Sequence, residues 1–162
     1  HILVTSAGLV DFAPFAEITL EAWERLIAVN LTGTFHCCQV AVPDMLDAGW
    51  GRIVMISSSS AQRGSPKMAH YAASKGAIDS FTVGLAREVA TEGIRVNAVR
   101  PGIIDTDIHA SGGQPDRAQR LAPQVPMQRP GRAEEVAASI VWLLSAQSSY
   151  TTGALLDLAG GR

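Results

Sequence analysis

The sequence predicts an α/β fold, a doubly wound parallel sheet in three layers with helices on both faces. Three observations carry this expectation. Strand-like and helix-like segments alternate along all 162 residues. The strand-like runs, such as Ile53-Val54-Met55-Ile56, are apolar without alternation, as expected of strands covered on both faces. Gly, Pro and Ser gather just after them, at Ala7-Gly8, Ser57–Pro66 and Pro101-Gly102, where a strand must stop and turn.

Taken in order, Ile2–Val4 reads as a short buried strand that ends in Ala7-Gly8. Leu20 to about Asp47 is helical in pattern, with Thr19 as N-cap and Glu21 and Glu24 near the positive end of the dipole. Gly49-Trp50-Gly51 breaks that helix, and Arg52–Ser57 is the second strand. A polar loop runs through Pro66. A helix then extends from about Met68 to Thr91, with Ile78, Phe81, Leu85 and Val89 as its apolar stripe. Gly93 stops it before a third strand, Ile94–Val99. Thr106 to about Gly131 is polar and weakly periodic, with a short helix at most around Arg117–Leu121. Ala133–Ser145 is the last helix and Ala154–Leu158 the last strand. The alternation implies right-handed βαβ units, and ligands in such sheets bind beyond the carboxyl ends of the strands. That rule points to Ser6–Gly8, Ser57–Ser60 and Pro101–Thr106. No repeat or second-domain boundary is visible, so residues 1–162 read as part of one domain.

Composition narrows the function classes. With 47% hydrophobic and 17% charged residues the chain can build an ordinary globular core. A net charge of -2 gives no electrostatic reason to expect nucleic acid or an anionic membrane as partner. No uninterrupted apolar run approaches the roughly 18 residues of a bilayer span. His1-Ile2-Leu3-Val4 lacks the basic start of a secretory signal, so a cytoplasmic location is the expectation. Cys37 and Cys38, adjacent in a helix, are not a disulfide framework. His1, His36, His70 and His109 are scattered without metal-ligand spacing, so no metal site is expected.

Some residues ask for chemistry. Tyr71 and Lys75 lie four apart near a helix start and so project from one face. A phenol with an ordinary pKa of about 10 is a poor base, and a neighbouring ammonium favours the phenolate. Alone, this spacing is common by chance. Thirteen residues before Tyr71 stands Ser58, at the carboxyl end of a strand, where a hydroxyl is placed to hold a substrate oxygen. Asn30 sits mid-helix, either as an exposed polar residue or as a deliberate local distortion.

The order Asn30, Ser58, Tyr71, Lys75, then Pro101-Gly102 with Thr106, resembles the classical short-chain dehydrogenase/reductase family. Tyr71-Ala72-Ala73-Ser74-Lys75, Ile94-Arg95-Val96-Asn97-Ala98-Val99 and the closing Thr152-Gly153-Ala154 with Gly160-Gly161 fit in kind and order, over essentially the whole chain. The resemblance implies a Rossmann fold and an NAD- or NADP-dependent oxidoreductase acting on a small alcohol or carbonyl substrate. It implies that Tyr71 moves the proton, Ser58 holds the substrate oxygen, and Lys75 binds the nicotinamide ribose while lowering the Tyr71 pKa. Asn30 would open its helix so that its backbone carbonyl anchors a proton-relay water. Ser6, Ala7, Gly8, Pro101, Gly102, Ile104 and Thr106 would contact the cofactor together with Tyr71 and Lys75. Ser57 competes for the serine role, and the thirteen-residue spacing favours Ser58.

Two departures stand out. The family usually has Asn-Asn-Ala-Gly where this chain has Thr5-Ser6-Ala7-Gly8. The Gly-rich phosphate loop and the residue that chooses NAD or NADP belong to a first βαβ unit that this sequence does not contain. The expectation is therefore the carboxyl-terminal two-thirds of one Rossmann domain, with Ile2–Val4 left as an uncovered sheet edge. The polar Thr106–Arg129 stretch would serve as a substrate lid. A 3-oxoacyl-[acyl-carrier-protein] reductase-like activity and a non-catalytic nucleotide-binding relative are the alternatives. The family's habits also imply a homotetramer or homodimer, with Phe35, Val40, Phe81 and Trp142 either on contact faces or in the core.

Overall fold

A computed structural model describes residues 1–162. β1 (Ile2–Thr5) leads to α1 (Leu20–Ile27), a π-helical turn (Ala28–Thr32) and α2 (Gly33–Asp47), three pieces of one continuous rod. β2 (Gly51–Ile56) is followed by the short α3 (Ser60–Arg63), the long α4 (Ala69–Glu88) and β3 (Ile94–Pro101). β4 (Ile104–Asp105), α5 (Ile108–Ser111), α6 (Arg117–Leu121) and β5 (Gly131–Arg132) make an excursion before α7 (Ala133–Leu144) and β6 (Leu155–Leu158).

The main sheet is parallel throughout, in the order β1-β2-β3-β6. Alternate residues of β2 divide between its two faces. Ile53 and Met55 pack with Cys38 and Met45 of α2 and with Ile78 and Ala86 of α4. Val54 packs with Val99 and with Leu143 of α7 on the other side. This is the three-layer doubly wound arrangement that the alternating sequence predicts. Two polar residues of β3 explain how α7 is held. Arg95, almost fully buried, donates to the carbonyls of Leu143, Ser145 and Thr151 at 2.8–3.1 Å, closing the C-terminal end of α7. Asn97 donates to Thr151 and accepts from the Ala154 amide, steering the chain into β6.

Several local expectations need correction. β1 is the uncovered sheet edge expected of it, not the buried strand that its apolar run suggested, with Ile2 58% and Val4 38% exposed. The loop after β2 contains α3, and the excursion holds α5 and the parallel pair β4–β5 besides the expected α6. The rod Leu20–Asp47 is, by length and composition, long and apolar enough to cross a bilayer, with mean hydropathy 1.2 in its most apolar stretch. Glu24, Arg25, Asn30 and Asp44 interrupt its apolar residues, so no continuous apolar run reveals it. Of the four residues with two possible places, Phe35, Val40 and Trp142 are exposed and Phe81 packs against the core. Cys37 is exposed, and burial pushes the Cys38 thiol up to about 11, with Cys37 adding to the shift.

Candidate active site

The carboxyl ends of β1, β2 and β3 open on a cavity of ≈ 640 Å³. Ser6, Gly8, Ser58, Tyr71, Pro101, Gly102, Ile104 and Thr106 are all on its wall. Asn30 and Lys75 stand behind that wall, buried, and Ala7 is exposed outside it. The strand ends thus bring together most of the residues that the sequence singles out.

The two serines separate by what their hydroxyls already do. Ser57 donates to the backbone carbonyl of Lys75 at 3.1 Å, which ties the end of β2 to α4. Ser58 instead accepts from the Ser60 amide at 3.1 Å, and its O–H is left to face the cavity, close enough to Tyr71 to favour the phenolate. Ser58 is the serine with a proton to offer.

Lys75 is buried, and its Nζ donates to the Ile56 carbonyl at 2.7 Å and lies 5.9 Å from the centroid of the Tyr71 ring. Burial lowers its pKa to about 8, opposed by the Asp79 carboxylate one turn further along α4. Asp79 is itself paired with Arg100 at 2.9 Å. Tyr71 differs from expectation. Its pKa is raised, because burial outweighs the Ser58 hydroxyl and the Arg117 charge, both of which favour the phenolate. The protein alone therefore keeps Tyr71 as a proton donor.

Asn30 occupies the middle of the π-helical turn and is completely buried. Its Oδ1 accepts from the Leu9 amide at 2.7 Å, and its Nδ2 donates to the Leu9 carbonyl at 3.0 Å and to Ser74 Oγ at 3.2 Å. The side chain thus pairs both backbone groups of the loop after β1 and reaches across to α4. The widened turn is the distortion that an asparagine mid-helix suggested. The Asn30 carbonyl accepts from Thr34 Oγ1 at 3.2 Å.

Other features were not legible. Thr5 Oγ1 is buried without a partner. The Ile104 carbonyl meets His109 Nε2 at 2.9 Å; burial is the first cause lowering the His109 pKa, so a neutral ring donating from Nε2 fits the contact. Arg63, Arg117 and Arg162 reach the cavity from three separate places in the chain. Basic residues scattered 45 or more positions apart give no spacing signal, and only the fold gathers them. No group of three or more His, Cys, Asp or Glu is placed to hold a metal ion.

The wall fits the nicotinamide end of a dinucleotide. Gly8, Pro101-Gly102 and Thr106 frame the space into which Tyr71 and Ser58 open. A Cβ at Gly8 would lie in ordinary van der Waals contact, 3.6 Å from Asn30 Oδ1 and 3.8 Å from Lys75 Nζ.

Residues 1–162 match the family model described as Enoyl-(Acyl carrier protein) reductase. The chain is 51% identical over 165 residues to the uncharacterized oxidoreductase YgfF of Escherichia coli, covering 99% of this chain and 67% of that one. It is 38% identical over 160 residues to the acetoacetyl-CoA reductase of Cupriavidus necator, covering 99% and 65%. Among solved structures it superposes with TM-score 0.92 on a gluconate 5-dehydrogenase from Burkholderia cenocepacia in complex with NADP and tartrate, at 32% identity, covering 99% and 63%. It superposes with TM-score 0.90 on an NAD+-bound xylitol dehydrogenase, at 34% identity, covering 99% and 68%. The chain thus spans about two thirds of the length of the curated relatives that it matches.

Proposed function

The chain belongs to the classical short-chain dehydrogenase/reductase family, and from that premise we propose that the protein interconverts a secondary alcohol and a ketone with NAD or NADP. One observation carries the reading: the Tyr71 phenol and the Ser58 hydroxyl face one cavity at the strand ends, with Lys75 fixed behind them. The nicotinamide, when bound, supplies or accepts the hydride. The chain's own residues handle the proton. Ser58 donates to the substrate oxygen and steadies the charge that gathers there. Tyr71 gives its phenolic proton to that oxygen in reduction and takes it back in oxidation. Lys75 would hold the nicotinamide ribose, with Ser6, Gly8, Pro101, Gly102, Ile104 and Thr106 around the ring. Ala7, exposed outside the wall, is the weakest of the proposed contacts.

The raised Tyr71 pKa sets a direction. Reduction needs the protonated phenol and proceeds across neutral pH, whereas oxidation needs the phenolate and rises with pH. The relatives named as a coenzyme A thioester reductase and as polyol or sugar-acid dehydrogenases support a small oxygenated substrate, with a 3-oxoacyl thioester as the alternative. A cytoplasmic homotetramer, or homodimer, completes the proposal. It is supported by the exposed Phe35, Val40 and Trp142. The test is Tyr71→Phe: folding and NAD(P)H binding remain, and turnover falls by at least about 10²-fold. Near-normal turnover in that variant defeats the mechanism.

A further inference from the structure

The cavity carries an excess of positive charge that proton transfer does not use. Arg63, Arg117 and Arg162 all line it, and Asp107 is the one carboxylate on the wall. None of the three arginines has an ion-pair partner in the structure. Their other contacts are weak or neutral. Arg63 donates to Ser59 Oγ at 3.0 Å. Arg117 lies over the Phe12 ring at 5.0 Å and donates to Met68 Sδ at 3.6 Å. Arg162 donates to Gln124 Oε1 at 3.4 Å, and its Nη1 is buried with no partner at all.

A buried guanidinium nitrogen without an acceptor is costly, and gathering like charges adds repulsion. The arginines feel one another: after burial, the Arg162 charge is the next cause lowering the Arg117 pKa, and Arg63 acts likewise on Arg162. Planar guanidiniums suit carboxylate or phosphate oxygens, which they can meet with paired hydrogen bonds. Arg117 is also close enough to Tyr71 to influence its titration, so the positive group borders the reacting end of the cavity.

We infer that the cavity selects carbonyl or alcohol substrates bearing an anionic group, a carboxylate or phosphate ester, held by Arg63, Arg117 and Arg162 within a few bonds of the carbon at Tyr71. This rests on the proposed oxidoreductase reading for the reacting carbon, whereas the anion site rests on the arginines alone. The experiment uses two matched pairs of ketones: levulinate with its methyl ester, and dihydroxyacetone phosphate with dihydroxyacetone. Calorimetric binding is measured without cofactor and again with saturating NADPH, beside turnover of each compound. The anionic member of at least one pair binds at least about tenfold more tightly than its neutral partner, and the pair that does so identifies carboxylate or phosphate. Arg117→Ala and Arg162→Ala each remove most of that preference. Arg87→Ala, on the exposed side of α4, does not alter it. Equal binding within both pairs, a preference that survives both arginine variants, or displacement of the anion by NADPH each overturns the proposal. Anion preference with no ketone turned over leaves this site standing and defeats the oxidoreductase reading; turnover of neutral ketones without anion preference does the reverse.

Discussion

Replacing Asn30 by Ala removes three hydrogen bonds at a position with no solvent exposure. At about 1 kcal/mol each, their net loss is about 3 kcal/mol. The better helix propensity of alanine returns about 0.5 kcal/mol at most, which leaves a deficit of about 2–3 kcal/mol. The Leu9 amide and carbonyl, left without that partner, push toward the upper end. Asn30→Asp sharpens the test. Its carboxylate still accepts from the Leu9 amide, but it loses both donors and faces the Leu9 carbonyl. Burial raises the folded pKa of that carboxyl above its unfolded value of about 4. The extra penalty is therefore full above the folded pKa and fades as pH falls through it, because the protonated acid regains a donor. Urea unfolding followed by tryptophan fluorescence gives both free energies from the slope and the midpoint shift. A loss below about 1 kcal/mol for Asn30→Ala, or an Asn30→Asp deficit that does not change between pH 7 and pH 5, refutes the role assigned to these contacts.

Lys75 makes stability depend on pH in the opposite sense. Its folded pKa is about 8 against an ordinary 10.5, so between those values the unfolded chain binds more protons and stability climbs with pH, by up to about 3 kcal/mol. Above about pH 10 the raised Tyr71 pKa reverses the trend. Lys75→Met removes the climb, and a wild-type profile that is flat from pH 8 to 10 contradicts the burial argument. For assembly, light scattering at micromolar concentration is expected to give a tetramer or dimer, with Val40→Asp shifting the mass downward; a monomeric wild type rejects the assembly.

Much of the fold was legible because the signals were local. Ile53–Ile56 announces a covered strand by being apolar without alternation, and Thr19 caps α1 as expected, accepting from the Ala22 amide at 3.1 Å. Tyr71, Lys75 and Ser58 were legible by spacing, and Asn30 by being misplaced in a helix. The remainder depends on tertiary neighbours. The raised Tyr71 pKa follows from burial, which no spacing encodes. The division between Ser57 and Ser58 depends on which hydroxyl meets the Lys75 carbonyl. α3 and α5 are four-residue helices, too short for a periodic pattern to register. Arg63, Arg117 and Arg162 share a wall only after the chain has folded.

The bond from Lys75 to the Ile56 carbonyl bears on affinity as well as on titration. A free lysine side chain surrenders up to about 2 kcal/mol of conformational entropy when it is fixed. Here that freedom is lost at folding, through the 2.7 Å contact and the burial around it. An ammonium has three N–H bonds, and one is committed to Ile56, so two remain for a ligand. If Lys75 holds the ribose as proposed, a hydroxyl arriving there would meet a side chain already ordered, and the ordering cost would fall on the stability of the apoprotein rather than on binding. A shorter or looser basic residue at this position would carry the same charge and forfeit that advantage.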